Sequence, residues 1–188
     1  MGTLRKILLV LGSVFLIYQT WRLMVSLTAI QGQEFDWYLD LILAFLLNLF
    51  TTGIFAFVGF GFPTYRLLPK KYYSISNPAI ISFWFRSLGV AAFRNLLMFT
   101  FWGTAKNRQK YFDGTRSGIR NFIYQTKQSE FGHLAALIVI GILSVILAFD
   151  EYYLMATMAT GINLIGNLYP VILQRHHRMR LGKLAEMN

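Results

Sequence analysis

The chain has no cysteine in its 188 residues. Disulfides, thiolate metal sites and cysteine nucleophiles are therefore excluded. Charge is also scarce: 14% of residues are charged, against about 25% in a soluble domain. Acids are the rarer sign, with 8 Asp and Glu against 18 Lys and Arg, for a net charge of +10. No aromatic and basic pattern of an RNA or DNA reader occurs, so no nucleic-acid partner is expected. What is present instead is apolar surface: 55% of residues are hydrophobic and 16% aromatic, with a mean hydropathy of +0.47. This is the composition of a polytopic membrane protein, with room for four or five spans of about 20 residues each.

The first apolar run extends from Ile7 to Ile30, broken by Gln19 and Arg22. It continues too far for a signal peptide and reads as a retained anchor. A loop with acids but no Lys or Arg follows, and the second run covers Trp37 to Phe62. The next loop, F-P-T-Y-R-L-L-P-K-K-Y-Y-S-I-S-N-P, is basic. By the positive-inside rule the N-terminus and this loop are expected in the cytoplasm. The run over 79–104 carries Arg86 and Arg94 and ends in K-N-R-Q-K. If it crossed, this stretch together with Arg116, Arg120 and Lys127 would lie outside, against the rule. The run is therefore expected to be a re-entrant or interfacial helix, with a fifth span as the alternative. Segment 105–128 is expected to be cytoplasmic, with a turn at Asp113-Gly114. Two further spans, 132–149 and 152–173, flank the acidic pair Asp150-Glu151. The expectation is a single membrane domain over 1–188, all-α, with about four transmembrane helices and both termini in the cytoplasm.

Glu130 and His133 stand at the entrance to the third span, three residues apart in Q-T-K-Q-S-E-F-G-H. At about 100° per residue they share one helix face. Ionisable groups at that depth are costly and usually functional. The chemical reading is a general base: His133 takes a hydroxyl proton while Glu130 orients the imidazole. The plainer reading is a Glu at a helix start and a His paired to a polar neighbour. One E-x-x-H offers two ligands and no second copy exists, so no metal site is expected.

In the last span Asn163, Asn167, Gln174 and Arg178 are spaced 4, 7 and 4, which places them within about 60° of one another on a regular helix. Such a stripe must face protein or water; the plainer reading is helix-to-helix glue. Pro170 removes a backbone donor and leaves a carbonyl free near Gly166. Arg175, Arg178 and Arg180 are the natural seat for a phosphorylated donor, since guanidinium pairs with phosphate through two bonds. The remaining basic residues read as anchors to anionic lipids. Arg22 and Asp40 are expected to form a structural ion pair.

L-P-K-K-Y-Y, T-K-Q-S-E-F-G-H and N-L-Y-P-V-I-L-Q-R-H-H-R-M-R-L together resemble the glycosyl-4,4'-diaponeurosporenoate acyltransferases, over about Leu67 to Leu181. The resemblance implies a small membrane enzyme that esterifies a sugar hydroxyl of a glycosylated carotenoid. It also implies that Glu130, His133, Asn167, Pro170, Gln174, Arg175, Arg178 and Arg180 are the family-like positions. One departure is His176-His177, where Tyr-Asn is expected between the arginines.

The expected activity is acyl transfer to a hydroxyl of a lipid-linked sugar or isoprenoid acceptor. It would use an acyl thioester cosubstrate and no bound cofactor, among membrane lipids at the cytoplasmic leaflet. The H-x-x-x-x-D motif of glycerolipid acyltransferases is absent, as none of the three His has an Asp five residues on. A lone intramembrane His would have to act. The rivals are a non-enzymatic lipid- or pigment-contacting subunit of a membrane complex, and a methyltransferase or reductase with its cofactor at the basic end.

Overall fold

A computed structural model describes residues 2–31, 33–100 and 115–186. The basic stretch Lys106 to Lys110 and the Asp113-Gly114 turn lie outside them. Helices form all the regular structure among the described residues: α1 (Thr3–Ala29), α2 (Trp37–Gly61), α3 (Pro78–Ser87), α4 (Val90–Thr100), α5 (Arg116–Phe149), α6 (Tyr153–Asn163) and α7 (Tyr169–Glu186). A π-helical segment, Leu164–Leu168, joins α6 to α7. Four stretches are long and apolar enough to cross a membrane: Thr3–Ala29, Trp37–Gly61, Gly118–Phe149 and Tyr153–Leu181, with mean hydropathies of 1.6, 2.3, 2.5 and 1.2. Even the 25 residues of α2 extend about 37 Å, beyond the ~30 Å hydrocarbon core. The protein is an all-α integral membrane protein.

The third and fourth spans overrun their expected boundaries. α5 begins at Arg116, because Arg120, Gln125, Lys127 and Gln128 are good helix formers that extend the helix beyond its apolar part. α7 likewise carries the helix through Q-R-H-H-R-M-R-L. The 79–104 run is a different case, since it forms no single helix. Asn77 caps α3 by accepting from the amides of Ala79 (3.0 Å) and Ile80 (3.3 Å), and Pro78 occupies the first turn, where its missing N–H costs nothing. Gly89, at φ +66°, ends α3 in the left-handed conformation that glycine adopts without penalty. The described parts of α3 and α4 have 10 and 11 residues, or about 15 Å each.

The chain forms two compact units. The first comprises 1–64 and 132–168. Its core is Leu27 of α1, Ala44 and Leu47 of α2, Leu147 of α5, and Met155, Ala156 and Ala159 of α6, together with Tyr152. Alanine at the crossing points lets these helices approach closely, as membrane helices require. Gly12 does the same for α1 and α2: a Cβ there would meet the Phe57 ring at 2.9 Å. The Tyr152 hydroxyl lies 2.8 Å from the Ile30 carbonyl and 3.0 Å from that of Leu27, tying this corner to the end of α1.

The second unit comprises 65–131 and 169–188. Phe85 of α3, Val90 of α4 and Leu173 of α7 form its apolar core. Tyr73 closes the preceding loop by donating to the Tyr65 carbonyl at 2.9 Å. Glu130 and His133 fall on either side of the division between units.

Candidate functional site

The first unit holds a buried chain of amides that ends on the imidazole. It starts at the Leu137 carbonyl, which can only accept and takes a hydrogen from Asn163 Nδ2 at 3.0 Å. Asn163 therefore turns its Oδ1 towards Asn167, and Asn167 Nδ2 donates to it at 3.0 Å. The same Nδ2 donates to Thr52 Oγ1 at 3.1 Å. Asn167 Oδ1 is thereby left to face His133 Nδ1, 2.9 Å away. An amide oxygen only accepts, so Nδ1 carries the hydrogen and Nε2 keeps its lone pair. One backbone carbonyl thus fixes the tautomer through two asparagines. Pro170, four residues beyond Gly166, has no N–H to give the Gly166 carbonyl. Asn163 and Asn167 are 3% and 1% exposed, whereas His133 is only partly buried.

The second unit holds a charge cluster. Glu130 is fully buried. Its Oε1 accepts from Arg175 Nε at 2.7 Å and its Oε2 accepts from Arg178 Nη2. Arg175 lies over the Tyr72 ring, 4.7 Å from its centroid, and Arg178 over Tyr73 at 5.6 Å. Lys127 approaches Tyr73 at 5.7 Å. Burial first, and then the Glu130 carboxylate, push both phenols above their ordinary pKa, so Tyr73 remains a donor to Tyr65. The cluster has one carboxylate for two guanidiniums. Nε and Nη1 of Arg178 are buried and find no hydrogen-bond partner among the described residues.

The expected site residues are thus divided. His133, Asn163 and Asn167 share one network. Glu130, Arg175 and Arg178 share another, with Gln174 beside it, donating to Ser129 Oγ at 3.3 Å. The imidazole is held by Asn167, and both Glu130 oxygens are engaged by arginines. Arg180 is exposed. His176 stacks on Phe85 with centroids 3.8 Å apart, and His177 meets the edge of Phe122. The expected Arg22–Asp40 pair does not form: Arg22 Nη1 donates to Tyr18 at 3.2 Å on the exposed surface, whereas Asp40 is buried at 6% exposure. A spacing of four places Tyr18 directly beside Arg22 on α1.

Thr52, Tyr72 and Tyr73 were not expected in these sites. A threonine within an apolar span signals a need for a polar neighbour, and this was the available clue to Thr52. The tyrosines stand next to Lys70 and Lys71, where an aromatic anchor at the membrane surface is the simpler reading.

Among the described residues no group of three or more His, Cys, Asp or Glu could hold a metal ion. The fold and these clusters define an integral membrane protein with ionisable and amide groups engaged inside its helices. The sequence model of one family, described as glycosyl-4,4'-diaponeurosporenoate acyltransferase, matches residues 69–187. That match covers more than half of the chain, which belongs to this family of acyltransferases. No curated protein and no solved structure matches the chain.

Proposed function

We propose that the protein transfers a fatty acyl group from an acyl thioester to a hydroxyl of a lipid-linked sugar, isoprenoid or carotenoid acceptor at the cytoplasmic leaflet. The observation that carries this reading is the fixed tautomer of His133, which presents Nε2 as a base in a partly accessible position. The acceptor O–H gives its proton to Nε2 as its oxygen attacks the thioester carbonyl. The C–O bond forms, the C–S bond breaks, and the imidazolium returns the proton to the departing thiolate. Asn167 keeps the ring in register and Asn163 keeps Asn167 in register. In the second unit, Arg175 and Arg178, bridged by Glu130, are read as a seat for an anionic group. Gln174 and the exposed Arg180 extend that surface. Both termini are read as cytoplasmic, a reading that the distribution of basic loops supports.

The test is acyl transfer from a radiolabelled acyl thioester to extracted membrane lipids, using the purified full-length protein. Labelled ester from the wild type and none from His133→Gln is the expected result.

One observation favours a second reading. Asn48 Nδ2 donates to the carbonyls of Ala44 and Ala159, and Asn163 donates to that of Leu137, so amides here also bind helices together. In a non-enzymatic subunit of a membrane complex that would be their whole role. Wild-type protein that forms no ester but co-purifies with a stoichiometric partner would favour it.

A further inference from the structure

The first unit contains a concavity that the acyl-transfer reading does not use. Gln33, Glu34, Phe35, Asp40, Glu151, Tyr152, Tyr153 and Leu154 line a space of about 470 Å³. It lies at the Phe149 end of α5, while His133 is sixteen residues back along that helix, about 24 Å away.

Five acids lie in or beside this region, and they behave in two ways. Asp150 accepts from Thr28 at 2.9 Å, and Asp36 accepts from Tyr38 at 2.9 Å. These two have partners and do not line the space. Glu34, Asp40 and Glu151 do line it, and none of their carboxylates has a hydrogen-bond or ion-pair partner among the described residues. Asp40 is the informative one: the residue as a whole is 6% exposed, and it lines this space, so its carboxylate is enclosed there and favours a positive or donating partner. The connecting segments 30–36 and 150–152 contain no Lys or Arg, so the local sequence does not supply one.

The lining also carries aromatic surface. The rings of Phe35 and Tyr152 stack, with centroids 5.7 Å apart, and Tyr153 is exposed beside them. Carboxylates combined with aromatic rings recognise an organic ammonium group: the carboxylates supply charge and the ring faces receive the N–CH surface. Among the described residues these carboxylates do not form a group of three that could hold a metal ion. Glu151 is held at φ +69°, a conformation that a residue with a Cβ seldom adopts without a reason.

We propose that this pocket binds an organic ammonium group, carried by an amine or by an amine-bearing lipid headgroup, with Asp40 as its buried counter-ion and Glu34 and Glu151 at its rim. The test uses the full-length protein. Spermidine is titrated calorimetrically in detergent, and thermal stability is compared in nanodiscs of phosphatidylethanolamine and phosphatidylglycerol. Binding of spermidine, or selective stabilisation by phosphatidylethanolamine, supports the proposal; the first outcome identifies a soluble amine and the second a lipid. Asp40→Asn should weaken the response at least about tenfold, and Asp36→Asn should leave it unchanged. If Asp40→Asn fails to fold, Glu34→Gln with Glu151→Asn removes the rim charge and keeps the left-handed turn, and it should weaken the response by a smaller factor. The proposal is overturned by no response from the wild type, by an equal response from the charge-removed variants, or by binding of calcium without binding of amine.

Discussion

Asn167 Oδ1 and His133 Nδ1 stand 2.9 Å apart, and Asn167 Nδ2 is directed to Asn163 and Thr52. The amide therefore cannot flip without losing both donations, and the imidazole cannot change tautomer without facing an acceptor with a lone pair. Asn167→Ala releases this constraint. Turnover should fall about 10- to 100-fold with the protein still folded, whereas His133→Gln should remove the full contribution of a general base, about 10² to 10⁴. Acyl-transfer rates measured beside thermal stability separate the two. Full activity in a folded His133→Gln protein would remove this residue from the chemistry.

Glu130 should behave differently from His133, although the two are neighbours in sequence. Glu130→Gln leaves Arg178 buried without its counter-charge, a change that destabilises proteins by several kcal/mol. Arg175 is 32% exposed in its side chain and can turn to solvent, so the expected loss is at the lower end, about 3 kcal/mol. A lower melting temperature in detergent, with the remaining folded protein still active, is the expected outcome. A selective loss of turnover at unchanged stability would instead place Glu130 in the chemistry.

The arginines can be ranked. Arg178 is buried between Glu130 and Tyr73, and Arg178→Lys should raise KM for the acyl thioester about tenfold, since lysine cannot supply a planar fork. Arg180, which is exposed, should tolerate the same change with KM unaltered. Steady-state kinetics of the two variants decide this, and equal effects would remove the distinction.

Gly89 should resist substitution for a conformational reason alone. Nothing lies within 4 Å of a Cβ built there, yet its φ is +66°. Gly89→Ala should therefore cost about 1 to 2 kcal/mol, and Gly89→Asn should cost less, because asparagine tolerates the left-handed region. Thermal melts of the two variants provide the comparison. Equal stability would mean that the α3–α4 turn does not need this conformation.

Membrane orientation can be tested directly, because the chain has no native cysteine. In sealed cells a membrane-impermeant maleimide should label Glu34→Cys and should not label Ser74→Cys until the membrane is opened. The reverse pattern would invert the proposed topology.

The apolar runs made the spans readable, because an 18-residue window of high hydropathy has few alternatives in a chain of this composition. Gly89 was less legible: one glycine inside an apolar run is compatible with a continuous helix, and only its φ shows the break. The stripe from Asn163 to Arg178 was visible as a spacing, but spacing assumes a regular helix. The π segment at Leu164–Leu168 interrupts that regularity, and the asparagines and the arginines meet different partners. Glu130 and His133 were singled out for their proximity in sequence. Their partners come from α6 with the π segment and from α7, and no local pattern could assign a distant asparagine to one and two arginines to the other. Arg22 and Asp40 are of opposite sign and lie in neighbouring spans, which suggests a pair; that reasoning carries no information about Tyr18, one helical turn from Arg22.

Pro170 has a consequence that reaches beyond helix shape. A peptide carbonyl inside lipid has no water to turn to, so an acceptor deprived of its helical donor exerts a pull on any hydrogen nearby. By withholding one N–H, Pro170 deprives the Gly166 carbonyl of its usual donor four residues on, one residue before Asn167 in the π segment. Alanine at this position would return that donor. The polarity of the stretch that carries Asn167 is thus set in part by an atom that proline does not have.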